Sequence, residues 1–264
     1  MENIKYSLHQ QTFQFPLVGK PDIGERGNAV KKLYTWEDIE TYAKTSKVDF
    51  LLQEWCNYKN EIGLFYCKYP KSARGFISGI VYKEFFTIVG DGKKTIENLI
   101  FEEDRYFLQL EKIKKAASIN LDTILPFGES MILVPYGNHC RGTLFKNYSF
   151  QIDEQLEDAM NKVCNQIPNF YFGRLDIRFN NWDSLKQGKE FCIIELNGAG
   201  SEPTHIYDPK HSLFFAWKEI IKHLNILYTI SKQNKILHNV PYLSFKEGIA
   251  MLKQRKRYNQ MMMK

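Results

Sequence analysis

No stretch of the sequence approaches the ~20 consecutive apolar residues a helix needs to cross a bilayer, so no membrane partner is expected. The opening residues, Met1 to Gln10, lack an apolar h-region, so no signal peptide is expected either. Cysteines are few, odd in number and widely spaced (Cys56, Cys67, Cys140, Cys164, Cys192), with no C-x-x-C pair. That pattern fits reduced thiols in a cytoplasmic protein and argues against a disulfide framework or a zinc site. His9, His211, His223 and His238 show no metal-ligand spacing and read as structural. There is no internal repeat, no low-complexity tract, no zinc finger and no RNP-type aromatic motif, so no nucleic-acid partner is expected. The excess of positive charge is only +6, and much of it lies in Lys253–Tyr258, which reads as the solvated end of a terminal helix.

What is abundant is aromatic: 19 Phe and 15 Tyr in 264 residues favour sheet-rich packing, and the length allows one large or two small cores. The most informative stretch is Tyr171 to Phe179, followed by Phe191 to Asn197. Read with period two, the two form a pair of strands. Leu175, Ile177 and Phe179 share one face of the first, and Arg174, Asp176 and Arg178 the other. On the second, Cys192, Ile194 and Leu196 share one face, and Ile193, Glu195 and Asn197 the other. The polar segment Asn180–Glu190 reads as a hairpin loop. Pairing the apolar faces brings Asp176, Glu195 and Asn197 onto one surface. Two carboxylates and an amide oxygen make a hard oxygen site of the kind Mg²⁺ takes together with waters and phosphates. A merely polar outer sheet face has the same pattern.

The remaining elements read as follows. Phe15–Lys20 is a strand, Asn28–Leu33 a helix, and Thr35–Ser46 a second helix with Thr35 as N-cap and Asp38 completing a near capping box. Phe50–Trp55, Glu61–Lys68, Gly79–Val89 and Met131–Pro135 are strands, with a turn at Gly90–Gly92. Thr95 and Asp104 can each cap a helix. Helices are expected near Asp153–Ile167 and Ser212–Gln233, and a last one from Ser244, with Glu247 closing a capping box. Mixed strands and helices joined by antiparallel hairpins predict an α+β protein.

Gly24 and Gly27 offer a glycine-rich turn after the first strand, where backbone N–H groups can meet phosphate, with Lys20 as a point charge at the strand end. The spacing is not that of a Walker A motif, and a purely structural turn is the alternative. Glu54, at the end of a strand, can accept from an adenine amino group, and the Trp55–Asn57 backbone can pair with the ring edge. Glu61, seven residues on, can bind ribose hydroxyls. Taken singly, Glu54 and Glu61 also read as surface charges.

In order, K-P-x-x-G-x-x-G, E-x₆-E, a lysine strand, R-x-D and E-x-N resemble the ATP-grasp superfamily, whose members include D-alanine–D-alanine ligases and the ligase domain of cyanophycin synthetases. The resemblance runs from about Phe15 to Pro209. Val89–Ile100 and, more loosely, Gly137–Gly142 are similar to the cyanophycin-synthetase type. It implies two α+β subdomains with antiparallel sheets clasping ATP: a lid over 1–56, a second subdomain with the metal-binding hairpin over 57–234, and a helical tail over 235–264. The resemblance further implies that Lys20, Gly24, Arg26, Gly27 and Lys83 contact phosphates. It assigns Glu54, Trp55, Cys56 and Asn57 to adenine, Glu61 to ribose, and Asp176, Glu195 and Asn197 to Mg²⁺ or Mn²⁺. Arg174 would steady an acyl phosphate, with Lys83 and Arg141 also serving catalysis. His139 and Arg141, in a glycine-flanked segment, could bind a carboxylate or the acyl phosphate, with a turn or surface role as the alternative; Glu202 and His205 lie in the loop that faces the second substrate in the family, with packing as the alternative for His205.

The implied reaction joins a small carboxylate, activated by ATP, to an amine, giving ADP and phosphate. Only 19 residues precede Lys20, where such ligases carry a further domain. The expectation is therefore a shortened member, or one completed by a partner chain or a second copy. A nucleotide-binding subunit that is non-catalytic, or active only with its partner, is the alternative. Asp176→Asn is expected to impair metal use far more than folding.

Overall fold

The computed structural model describes residues 13–24, 27–102, 119–134 and 143–262. The chain divides into two units, Met1–Asn57 with Pro241–Lys264, and Tyr58–Val240.

In the first unit, β1 (Leu17–Pro21) lies between β2 (Lys31–Leu33) and β3 (Phe50–Glu54), antiparallel to both. Helix α1 (Trp36–Thr45) starts where its sequence asks it to. Thr35 accepts from the Asp38 N–H, and the Asp38 side chain accepts in return from the Thr35 N–H. The helix presents Ile39 and Tyr42 to Leu17 and Leu33, which form the buried core of this unit. Gly19 lets them pack closely, because an added Cβ would stand 3.0 Å from the Tyr42 ring and 3.1 Å from Leu33. The helix expected over Asn28–Leu33 is instead the short strand β2. Six residues without a cap are too few to sustain a helix, whereas pairing with β1 buries Leu33. The second contribution to this unit is α6 (Phe245–Met262), which starts with Ser244 and Glu247 in reciprocal hydrogen bonds.

The second unit carries a five-stranded antiparallel sheet in the order β10-β9-β4-β5-β8. Its strands are β4 (Asn60–Cys67), β5 (Phe76–Glu84), β8 (Leu144–Asn147), β9 (Phe172–Phe179) and β10 (Phe191–Asn197). One face is apolar. Ile62, Leu64, Ile80, Leu175, Ile177 and Phe179 pack there against Leu156 and Met160 of α3 (Glu154–Cys164), whose N-cap is Asp153. The other face is divided. At one end Phe65, Cys67 and Phe172 are covered by Ile226 and Ile230 of the long helix α5 (Leu213–His238). At the other end the side chains are charged.

The single strand expected over Gly79–Val89 is broken at Phe85. β5 stays in the large sheet, while β6 (Phe86–Val89) pairs with β7 (Ser130–Val134) in a separate hairpin. That hairpin and the helix α2 (Ile96–Phe101), capped by Thr95, bury Phe86, Ile96 and Ile100. Between them the Gly90–Gly92 turn is tied by Asp91, whose carboxylate accepts from the N–H groups of Lys93 and Lys94, with Gly92 at φ +72°. The Asn180–Glu190 connection is more than a loop. It contains the helical turn α4 (Trp182–Lys186), N-capped by Asn181 and ended by Gly188 at φ +71°.

Among the described residues all strand pairs are antiparallel, so the α+β class expected from the sequence is the architecture observed. Among the described residues, no helix is long and apolar enough to cross a membrane. Cys67 and Cys164 are free and buried, and burial pushes each thiol up to about 12.

Candidate active site

The charged half of the sheet face is built by alternation on β4, β5 and β9. Turning Leu175, Ile177 and Phe179 into the core turns Arg174, Asp176 and Arg178 the other way. Register then sets Arg178 opposite Glu61, and Asp176 opposite Gly63. The result is a continuous line of ion pairs. Arg178 Nε donates to Glu61 Oε2 at 3.0 Å, and Glu61 Oε1 accepts from Lys83 Nζ at 2.9 Å. Lys83 Nζ stands 3.2 Å from Asp176 Oδ2, and Asp176 Oδ1 accepts from Arg174 Nε at 2.9 Å. Glu61, Lys83 and Asp176 are all buried, with Asp176 only 3% exposed.

Each charge is stabilised against burial by its neighbours. Burial by itself disfavours the Lys83 ammonium, but Asp176 and Glu61 outweigh it and hold its pKa above the usual lysine value. Burial likewise opposes the Asp176 carboxylate, yet Lys83 and Arg174 hold its pKa below the usual range. The Arg174 guanidinium is also partly desolvated, and Asp176, Glu195 and Glu202 keep it firmly charged. Gly63 makes the arrangement possible. A Cβ there would come within 2.9 Å of Val81 and 3.1 Å of both Arg174 and Asp176.

β10 supplies the outer edge. Glu195 pairs with Asp176 and Asn197 with Arg174. The Asn197 amide, oriented to satisfy both neighbours, donates to Glu195 Oε1 at 3.1 Å and accepts from Arg174 at 3.3 Å. A β-bulge between Ile193 and Glu195 corrects the simple alternation read from the sequence. Ile193 pairs with Ile177 and packs on the core side, while Cys192 pairs with Arg178 on the charged side. Without the extra residue, a strand that buries Ile193 would turn Glu195 into the core as well.

Asp176, Glu195 and Asn197 thus share one face, with oxygen donors suited to a hard divalent cation that keeps part of its water shell. Asp176 Oδ1 accepts from Arg174 Nε at 2.9 Å, while Oδ2 accepts from Arg174 Nη2 at 3.4 Å and faces Lys83 Nζ at 3.2 Å, so Oδ1 keeps the freer lone pair. Among the described residues there is no group of three or more His, Cys, Asp or Glu side chains arranged to hold a metal. The candidate set has two carboxylates and relies on an amide for its third donor.

The other residues singled out from the sequence are placed as follows. Glu61 is not presented to solvent but is held between Lys83 and Arg178. Glu202 is linked to the line of charges through its carbonyl, which accepts from Arg174 at 3.5 Å, while its carboxylate accepts from the Tyr207 hydroxyl at 2.7 Å. His205 is buried on Gly79, where an added Cβ would run into its ring, and Nε2 lies 3.5 Å from Glu219. In the first unit, Lys20 donates to Gln53 Oε1 at 2.7 Å, Gly27 takes φ +68°, and exposed Glu54 accepts from the Gln14 N–H. The Trp55 N–H donates to the Pro16 carbonyl at 3.1 Å, and Lys32 lies over the Trp55 ring. Gly24 lies against Pro21, and Asn57 is exposed. Arg26, His139 and Arg141 lie outside the described residues, as does Asp104.

Sequence reasoning gave no role to Arg178 or Glu219. Arg178 carried a signal, since it shares the polar face of β9 with Arg174 and Asp176. Glu219 carried only its i,i+4 spacing to His223 on α5, while His205 reaches it through the fold.

No protein-family model and no curated protein sequence matches the chain. Solved structures do. The bifunctional glutathione synthetase of Pasteurella multocida is 12% identical over 87% of this chain and 32% of its own, with a TM-score of 0.41. The VanG D-Ala:D-Ser ligase of Enterococcus faecalis is 12% identical over 88% of this chain and 52% of its own, at 0.40. The D-alanine–D-alanine ligase of Bacillus anthracis is 12% identical over 86% of this chain and 58% of its own, at 0.43. The likeness to these ligases is one of fold. The chain spans between 32% and 58% of the length of those proteins.

Proposed function

We propose that this chain carries the nucleotide and metal site of an ATP-dependent carboxylate–amine ligase that works through an acyl phosphate. The observation that carries the reading is the register of β9 and β10, which sets Glu195 against Asp176 and Asn197 against Arg174, beside the buried Lys83. Hard oxygen donors next to fixed cations suit a reaction in which phosphoryl transfer depends on positioning and charge neutralisation. Asp176, Glu195 and Asn197 would hold Mg²⁺ or Mn²⁺, which when bound would neutralise phosphate charge. Arg174 would face the developing acyl phosphate. Lys83, which burial and two carboxylates keep protonated, would supply a positive charge that does not wander. The order of motifs along the sequence assigns Lys20 and the Trp55–Asn57 backbone to the nucleotide. Glu202 and His205 differ in their fitness for substrate. Glu202 is exposed beside Arg174, whereas His205 is enclosed and suits a supporting role.

The test is nucleotide turnover. Purified protein is incubated with Mg-ATP and pooled amino acids and small carboxylates, and followed by phosphorus NMR. ADP and phosphate that appear only with the pool support the ligase. Unchanged ATP in a sample that still binds Mg-ATP indicates a subunit completed by another chain. Failure to bind Mg-ATP overturns the proposal.

A further inference from the structure

Helix α5 is apolar on two opposite sides. Its inner side places Ile226 and Ile230 on the sheet. Its outer side carries Phe214, Trp217, Ile221, Leu224 and Tyr228 at successive spacings of three, four, three and four residues, each between 52% and 76% exposed. A surface helix ordinarily turns a polar face outwards, and one that is apolar on both sides is ordinarily covered on both. The five outer side chains leave roughly 600 Å² of largely apolar surface in one strip, at the upper end of what a monomer shows.

We infer that this strip is the interface between two copies of the chain, paired antiparallel through α5 about a two-fold axis at Ile221. The spacing is that of a narrow helix–helix seam two heptads long. Ile221 is its midpoint, so a two-fold there sets Phe214 against Tyr228 of the second copy and Trp217 against Leu224. Flanking Leu213 and Ile220 are also exposed and lie on one side of the strip, where the same two-fold sets Ile220 beside its equivalent and Leu213 beside Thr229 of the second copy. Including them, the pair would bury roughly 1,600 Å² in total, the size of a standard specific interface.

The two-fold match of the strip and the area it would bury favour a second copy. Of the lysines around it, Lys222 is paired with Glu219 of its own helix at 3.2 Å, Lys218 flanks the strip, and exposed Lys232 and Lys235 lie one to two turns beyond Tyr228. A helix lying on lipid needs a strongly charged face turned to water, and here the face opposite the strip is packed on the sheet.

Sedimentation equilibrium of the intact chain over a concentration series tests the inference, with Ile221→Glu and Trp217→Glu as variants. Both positions are exposed, and circular dichroism checks that the variants fold. The expected result is a dimer that each variant weakens at least about tenfold. Added salt should strengthen it slightly, because like-charged rims are screened. Ile221→Cys should cross-link two copies, whereas Phe214→Cys alone should not. A monomer at every concentration overturns the inference, as does a dimer indifferent to both glutamates. A monomer that binds anionic vesicles or an acidic amphipathic helix, with salt weakening the complex, overturns it in favour of those occupants.

Discussion

Lys83 Nζ lies 3.2 Å from Asp176 Oδ2 and 2.9 Å from Glu61 Oε1, so one buried ammonium joins two carboxylates whose positions in the sequence are far apart. The contact gives Asp176 two tasks. It is a candidate metal ligand, and it is also the counter-ion of Lys83 and Arg174.

Asp176→Asn is therefore expected to cost stability as well as Mg-ATP binding, which revises the expectation drawn from the sequence. Removing one charge from a buried pair leaves its partners uncompensated, at about 3 kcal/mol. Glu195→Gln, at the exposed edge, should lower Mg-ATP affinity and leave stability nearly unchanged. Urea denaturation beside calorimetric titration of Mg-ATP separates the two effects. Equal stability of Asp176→Asn and the wild type would show that the ion pairs do not hold the fold.

Lys83→Met and Glu61→Gln should each destabilise, and the double variant by less than their sum. A double-mutant cycle in urea should give a coupling of about 1–3 kcal/mol, because the two groups share one buried contact. Strict additivity would mean that the contact contributes nothing.

Gly63→Ala should destabilise by about 1–3 kcal/mol through overpacking against Val81, Arg174 and Asp176. The added methyl pushes the two charged side chains, so Mg-ATP binding should weaken too. Thermal melts and the same titration check this, and a variant with normal stability and binding would show that the site has slack.

Stability should fall as pH drops from neutrality towards about 4. Burial is the main cause that lowers His205 to about 4; Glu219 partly opposes it and His223 adds to it. Its folded pKa lies below the ordinary 6.5, so the unfolded chain binds the extra proton between those values. The stabilisation is complete above about pH 6.5 and is lost as pH falls through that window. His223, lowered chiefly by burial, acts in the same direction. Denaturation midpoints from pH 4.5 to 7.5 should slope less in His205→Gln than in the wild type, and an unchanged slope would assign the acid limb to other groups.

The alternation in β9 was legible from the residues alone, as were the caps at Thr35, Thr95 and Ser244, because both are local: one is a period of two, the other a hydrogen bond spanning three residues. The separation of β6 from β5 was not legible, since Phe85 reads as one more apolar residue in a continuous strand and only pairing with β7 draws β6 away. The bulge in β10 also escaped the pattern. A strict period places Ile193 with Glu195, and only its packing against the core beneath Ile177 reverses it. Lys83 could be suspected from its place in the motif order and Arg178 from the polar face it shares with Arg174 and Asp176, but the contact of Glu219 with His205 could not. Whether a charged side chain is buried depends on which strand or helix lies beside it. By itself the sequence determined which residues face together along each strand. The order of the strands decided which of those faces meet, because the energy of a buried charge is fixed by partners that the chain brings in from a distance.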